Sequence, residues 1–234
     1  MIVNDDIYCV ATSNGDEKKP VLLHKLFNYL SGVGKSSYSE VTTQSGGMMI
    51  AEHLNSITYY NHLFYIVTRN KGGNQVMAID SDGNVKKKYS YSRSTIATIN
   101  HYEDDKFLIS VNGGCSIKYR MVRITDRIID VGLDFKAIVT DSDYETGNDS
   151  FYDKKDKRLY VTKFKDNLRD NAIYVYDLCR LCNGYKYKPE KVFYVSSREK
   201  YEIEGIGTYK GKMYACVNAV KNGKQADEIS ILEA

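Results

Sequence analysis

Apolar and polar positions repeat one phrase along the whole chain. A short apolar run ends in a polar turn, and a second run opens on an apolar residue followed, with one exception, by Tyr. The step is Ile7-Tyr8, Phe64-Tyr65, Phe107-Leu108, Leu159-Tyr160 and Met213-Tyr214, with copies 57, 43, 52 and 54 residues apart. Two such runs joined by Asn, Asp, Lys or Gly read as a β-hairpin. A third apolar run follows each hairpin: "KPVLLHKL", "NQVMAID", "YRMVRIT", "NAIYVYDL" and "DEISILEA". A fourth, more polar run follows in "NVKKKYSYS", "DRIIDVGLDF" and "PEKVFYVSS", and "SSYSEVTTQ" can serve in the first unit.

A four-strand unit repeated at this spacing marks a β-propeller. The pattern predicts an all-β protein: a single domain over residues 1–234, a five-bladed β-propeller of four-stranded antiparallel blades, with room for only three strands in the last. Neither end of the chain offers a strand to the blade at the other end. Closure of the ring is expected to rest on side-chain packing between the first and last blades, or on residues outside this sequence. One segment departs from the pattern. Leu22, Leu23, Leu26, Phe27 and Leu30 have helical spacing, so this stretch is either a short helix inserted in the first blade or a strand at Leu22–Leu26 followed by a loop.

Composition agrees with β structure. There are 21 Tyr and no Trp, and only 2 Pro, so turns fall to Gly, Asn and Asp. Tyr and the β-branched residues favour pleated, half-buried surfaces. A net charge of +3 gives no basic field of the kind nucleic acid requires, and the densest basic run, "VKKKY", reads as a solvated outer strand. No apolar stretch approaches the ~20 residues of a membrane span. The N-terminus lacks the pattern of a signal peptide, although a chain whose leader had been removed would look the same. The 5 cysteines do not form a disulfide framework and read as free thiols, which lean towards a reducing, cytoplasmic compartment.

Several motifs are incomplete. "SGVGKSS" has the Gly34-Lys35-Ser36 of a phosphate loop, but Tyr29 stands where its first Gly belongs and no helical pattern follows. Cys179 and Cys182 form one CxxC, without the second ligand pair that a zinc site needs. The four histidines, His24, His53, His62 and His101, fit no nucleophile–base or metalloprotease spacing. The loop at 140–157 is rich in Asp and Asn but lacks EF-hand spacing.

The repeat itself supplies the best constellation. In a propeller, residues that begin the innermost strands converge at one mouth of the central channel. Aligned on the apolar-Tyr step, Glu204 of the fifth unit matches Asn55 of the second, Ala97 or Thr98 of the third, and, with one residue inserted, Asp149 of the fourth. His53 stands just before the same strand in the second unit. Glu, Asn and Asp offer hard oxygen donors of the kind that calcium prefers. The same groups can hold a sugar hydroxyl, or cap the backbone N–H groups of strands.

The phrase "EGIGTYKGKMYACV", residues 204–217, resembles the inner hairpin of the gluconolactonase and senescence-marker (SMP-30-like) propellers, and the Tyr-rich hairpins are also similar to those of helveticin-like proteins. In the first family a Glu-Gly pair opens an inner strand and the Glu ligates a divalent cation in the channel. That implies a cation-ligating role for Glu204, with Asn55 and Asp149 as companions from this chain's own repeat. The resemblance covers fourteen residues; that family has six blades and carries its Glu in the first.

Three functions follow as expectations. The first is a ligand-binding propeller that takes a carbohydrate or other small polar ligand through Asn55, His53, Asp149 and Glu204, with Tyr side chains as flat platforms. The second is a metal-dependent hydrolase or lactonase, with a divalent cation such as calcium held by Glu204, Asn55 and Asp149. The third is a protein-interaction scaffold. The ligand's identity and the oligomeric state are not encoded in any motif of the chain.

Overall fold

A computed structural model describes residues 1–12, 21–27, 34–42, 53–70, 73–111, 116–144, 147, 149–225 and 228–232. Among them there is no helix, and the strands assemble into five sheets. Blade 1 is β1 (Ile2–Val3), β2 (Asp6–Thr12), β3 (Val21–Phe27) and β4 (Lys35–Glu40). Blade 2 is β5 (His53–Tyr60), β6 (Leu63–Asn70), β7 (Gly73–Ile79) and β8 (Val85–Ser90). Blade 3 is β9 (Ile96–Glu103), β10 (Lys106–Val111), β11 (Ser116–Ile124) and β12 (Ile128–Ile138). Blade 4 is β13 (Ser150–Asp153), β14 (Arg158–Phe164), β15 (Asp170–Asp177) and β17 (Lys191–Ser196). The short β16 (Lys186–Tyr187) leaves the β15–β17 connection and adds a parallel edge to β12. Blade 5 has β18 (Tyr201–Tyr209), β19 (Lys212–Lys221), β20 (Lys224–Gln225) and β21 (Glu228–Leu232).

The five-bladed propeller expected from the repeat is therefore the fold. In blade 5, β20 and β21 both pair with β19, at Val220–Lys221 and Met213–Val217 respectively. They are two pieces of one third-strand position, with no strand outside them among the described residues. Over the described residues 21–27 the stretch is a strand, not a helix, and Leu30 lies outside the described residues. Val21–Phe27 is a strand whose Val21 and Leu23 are buried, and β4 pairs with it in full register. Pairing on both edges overrides the helical spacing of its leucines. Lys35 and Ser36 lie within β4, so the phosphate-loop reading also loses the helix N-terminus it requires.

Tight turns follow the polar punctuation. Asn4-Asp5, Asn61-His62, Lys210-Gly211 and Asn222-Gly223 all have positive φ at both residues, the geometry of type I′ hairpins. Asn, Asp and Gly tolerate that region, which explains why these residues separate the apolar runs.

Successive side chains of a strand point to opposite faces, and the apolar-Tyr step uses both. Phe64 and Ile66 pack with Tyr8, Val21 and Leu23 of blade 1, while Tyr65 and Val67 pack with Ile99, Phe107 and Ile109 of blade 3. A third cluster joins Leu108 and Tyr119 of blade 3 to Leu159, Val161 and Tyr174 of blade 4, and a fourth joins Ile173 to Ile203, Ala215 and Val217 of blade 5. Each core is thus an interface between blades.

The inner strands β5, β9, β13 and β18 lie side by side, with β1 against β18 and β5 beside β2 of the first blade. Each pairs with a strand of its own blade on one edge only. Side chains of the preceding blade cap the other edge. Ile99 N–H donates to Ser56 Oγ at 3.2 Å and His101 N–H to Thr58 Oγ1 at 3.0 Å. Tyr152 N–H donates to Asn100 Oδ1 at 2.9 Å, and Ile203 N–H to Asn171 Oδ1 at 3.1 Å. Buried backbone donors need such partners, so the inner strands carry Ser, Thr and Asn where a sandwich core would carry Val.

We predict that Asn100→Ala destabilises the fold by about 1–3 kcal/mol, because it strips the cap from buried Tyr152 N–H and removes one of the hydrogen bonds of Ser150 Oγ. The exposed control Lys88→Ala should stay within about 0.5 kcal/mol of wild type. Urea unfolding monitored by circular dichroism measures both.

Candidate functional site

The inner strands of blades 2, 3 and 5 share an irregularity at the same place. In β5, Leu54 pairs with Thr68 and Ser56 with Val67, which leaves Asn55 as an extra residue. In β9, Ile96 pairs with Val111 and Thr98 with Ser110, leaving Ala97. In β18, Ile203 pairs with Val217 and Gly205 with Cys216, leaving Glu204. These are β-bulges, which kink a strand and re-aim the side chain of the extra residue, and they recur at rims and beside binding sites. Glu204 is exposed and Asn55 half-buried. The sequence alignment placed Asn55 with Glu204, and the strand register does so too. Of its two candidates in blade 3, Ala97 is the bulge.

Asp149 stands elsewhere. Its carbonyl accepts from Thr162 N–H at 3.1 Å, just before Ser150 pairs with Val161. It therefore shares the level of Ser56, Thr98 and Gly205, one residue further along than Asn55 and Glu204. Ser56 Oγ lies 3.1 Å from Asp149 Oδ1, and Ile206 N–H donates to the same carboxyl group. The contact with Ile206 repeats, one blade on, what Ser56 does for Ile99. Asp149 is thus a capping residue that also bridges blades 2 and 5 across the channel. His53 begins β5, opposite Arg69 in the ladder.

Below the bulges the channel is polar and hydrogen-bonded. Thr98 Oγ1 lies 2.7 Å from both Ser110 Oγ and Ser150 Oγ, and Asn100 Nδ2 donates to Ser150 Oγ at 2.9 Å. Desolvation pushes the Asp149 carboxyl up to about 7, against the Ser150 N–H, Ser56 hydroxyl, Ile206 N–H and the chain's amino group, all of which favour the anion. Among the described residues no three His, Cys, Asp or Glu side chains gather as a metal-ligating group. A cation held by Glu204, Asn55 and Asp149 would draw its oxygens from two levels of the ring.

The remaining candidates have structural places. His101 is buried between Tyr60 and Phe107, with ring centroids 4.2 and 5.2 Å away; its Nε2–H donates to Asp104 O at 2.7 Å, and Lys154 Nζ meets its Nδ1. His62 is an exposed turn residue. Cys179 and Cys182 are exposed in a turn held by Asp177 and Tyr187. A surface depression of about 330 Å³ on blade 3 is lined by Arg93, Arg120, Asp130, Gly132, Asp134 and Asn183. Its charges are paired: Arg120 spans Asp134 through Nε and Nη2 at 2.9 and 3.0 Å, and Arg93 reaches Asp130 at 2.8 Å. The sequence shows none of this pairing, because Arg120 and Asp134 meet only through the register of β11 and β12.

The tyrosines are chiefly core. Tyr119, Tyr174 and Tyr176 are fully buried, and Tyr8 and Tyr65 nearly so. The exposed Tyr38, Tyr185 and Tyr194 lie on outer strands or connections, away from the inner ring. Tyr59 and Tyr60 of β5 and Tyr201 of β18 are half-buried on inner strands.

No family model and no curated protein matches the chain. Solved structures with a similar shape include one titled "Crystal structure of Nidogen/Laminin Complex" (10% identity, 96% of this chain, 75% of the other, TM-score 0.49). Another is hydrazine synthase of Kuenenia stuttgartiensis (8% identity, 96% of this chain, TM-score 0.48), of which the chain spans only 62%. A third is the β-propeller domain of the Trilobed protease from Pyrococcus furiosus (11% identity, 97% and 75% covered, TM-score 0.42). The fold assignment rests on the strand pairing above.

Because Asp149 ionises from 3.8 in a solvated chain but near 7 in the fold, the folded protein holds its proton more tightly. Its contribution to stability is full below the unfolded value and is lost as pH rises through the folded one. The wild-type melting temperature should carry a component that falls between pH 4 and 7, and Asp149→Asn should remove it. An unchanged pH slope in the variant, read by calorimetry, would sink this account.

Proposed function

We propose that the protein is a ligand-binding propeller whose site is the channel mouth at the bulge end of the inner strands, and whose ligand is a small polar molecule of the carbohydrate class. The observation that carries the reading is the shared bulge of Asn55 and Glu204. Two blades use the same backbone irregularity to present a hydrogen-bonding side chain at the same level of the ring. Asn offers two donors and an acceptor, and Glu offers an acceptor pair; together they suit vicinal hydroxyls. The Asp149 carboxyl, one level down, supplies a group that can donate or accept near neutrality.

The reading makes binding, rather than turnover, the activity. A propeller fold hosts many functions, and the support here comes from the mouth, not from the fold.

A panel of neutral and acidic mono- and oligosaccharides, screened by chemical-shift perturbation, should yield a binder whose shifts centre on the start of β5 and β18. Glu204→Gln and Asn55→Ala should each weaken it by about tenfold to a hundredfold, the worth of a charged or buried hydrogen bond. A binder insensitive to both variants, or shifts confined to outer strands, contradicts the proposal. Calorimetric uptake of calcium that disappears in Glu204→Gln would favour the metal-dependent hydrolase instead.

A further inference from the structure

One of the five joints between blades differs from the rest. Hydrophobic clusters join blades 1 and 2, 2 and 3, 3 and 4, and 4 and 5, and among the described residues none of these clusters joins 5 to 1. Polar capping also lapses there. Blade 5 has Gly205 and Gly207 where blade 2 has Ser56 and Thr58 and blade 3 has Thr98 and Asn100. Neither glycine can reach out to cap β1. Gly207 instead leaves space beside Ile2, whose Cδ1 lies 3.8 Å from where a Cβ would stand. Among the described residues, no strand from one end of the chain enters the blade at the other end. Across this joint, however, Cys9 Sγ of β2 and Cys216 Sγ of β19 approach to 3.2 Å.

The register accounts for the meeting. Counted from the apolar-Tyr step, Cys9 occupies the place of Ile66 and Ile109, which face the preceding blade. Cys216 occupies the place of Val67, which faces the following one. At the joint of blades 2 and 3, the corresponding side chains Val67 and Ile109 belong to one hydrophobic cluster. At the last joint two thiols replace them. β1 pairs only as far as Ile7, with one more bond from Tyr8 N–H to Met1 O, so Cys9 has no inner-strand partner beside it and both cysteines remain partly exposed.

We propose that Cys9 and Cys216 are a redox-modification site, forming an intramolecular disulfide that latches the first blade to the fifth. This holds whatever the channel mouth binds. The sulfurs need move only about 1 Å to reach the ~2 Å of a bond. The oxidant is a low-molecular-weight disulfide. The Cys9 thiolate attacks one of its sulfurs and expels one small thiolate; the Cys216 thiolate then attacks Cys9 Sγ of the mixed disulfide and expels the second. Two protein thiols lose two protons and two electrons, and one small disulfide becomes two thiols. The hydrogen bond from Cys216 holds the Cys9 thiol below its ordinary range, while Cys216, left to lose the second proton, is raised. The first thiolate is therefore available near neutral pH, as exchange requires. The two positions are 207 residues apart, so the bond closes nearly the whole chain into a loop and restricts the unfolded state strongly.

The test is to incubate the folded full-length chain with oxidised glutathione at pH 8, quench with acid, and map peptides by mass spectrometry. The peptides bearing Cys9 and Cys216 should be joined, the chain lighter by two hydrogen atoms for that link, and the melting temperature raised by about 10 °C. Dithiothreitol should reverse all three changes, and Cys9→Ser and Cys216→Ser should each abolish the link and the rise. A persistent glutathione adduct on Cys9 without the link, a link formed only in urea, or a link that leaves the melting temperature unchanged would each overturn the proposal. A bond confined to Cys179 and Cys182 would do the same.

Discussion

Five strands around a channel each present one edge that has no strand to pair with, and the molecule is organised around satisfying those edges. An unpaired N–H shut away from water costs about as much as a lost hydrogen bond. Here the donors Ile99, His101, Tyr152 and Ile203 are met by Ser56, Thr58, Asn100 and Asn171, each from the blade before. The solution ties blade order to side-chain chemistry. The inner strands of blades 3, 4 and 5 are each capped by the blade before. That is why the centre of the ring is polar while the spaces between blades are apolar.

The same constraint explains what is particular about Asp149. It fills a capping position that Ser56 fills in blade 2, but a carboxyl in that place is desolvated and holds its proton to about 7. A residue doing structural work thereby becomes a titrating group inside the channel. Asn55 and Glu204 are one residue nearer the mouth, at bulges that lift them out of the capping register. Asn55 and Glu204 thus share one level of the ring, and Asp149 lies at the next.

Much of this was legible in the sequence because the fold repeats. The apolar-Tyr step marks the second strand of each blade, and its two residues face opposite neighbours, so Phe64-Tyr65 and Leu159-Tyr160 reveal the blades before any contact is known. The third strands and the fourth strands of blades 2 to 4 were equally plain. Leu22–Leu26 left helix and strand both open, because helical spacing and a strand buried on alternate residues coincide over so short a run, and the strand is the one formed. The equivalence of Asn55 and Glu204 could be aligned, but not the bulge beneath it, since an extra residue shows only against its partner strand. Asp149 was displaced by one for the same reason. Cys9 and Cys216 looked unrelated because nothing along the chain brings residue 9 beside residue 216 until the ring closes.

The claim that side chains of one blade cap the inner edge of the next is tested most directly by amide hydrogen exchange on the folded protein, resolved by residue. The account predicts slow exchange at Ile99, His101, Tyr152 and Ile203, comparable with amides paired inside the sheets such as those of β6 and β14. It also predicts that Ser56→Ala accelerates Ile99 selectively while the amide of Tyr152 is unaffected. Exchange at these four positions as fast as at a solvated strand edge, or a Ser56→Ala variant that leaves Ile99 unchanged, would contradict it.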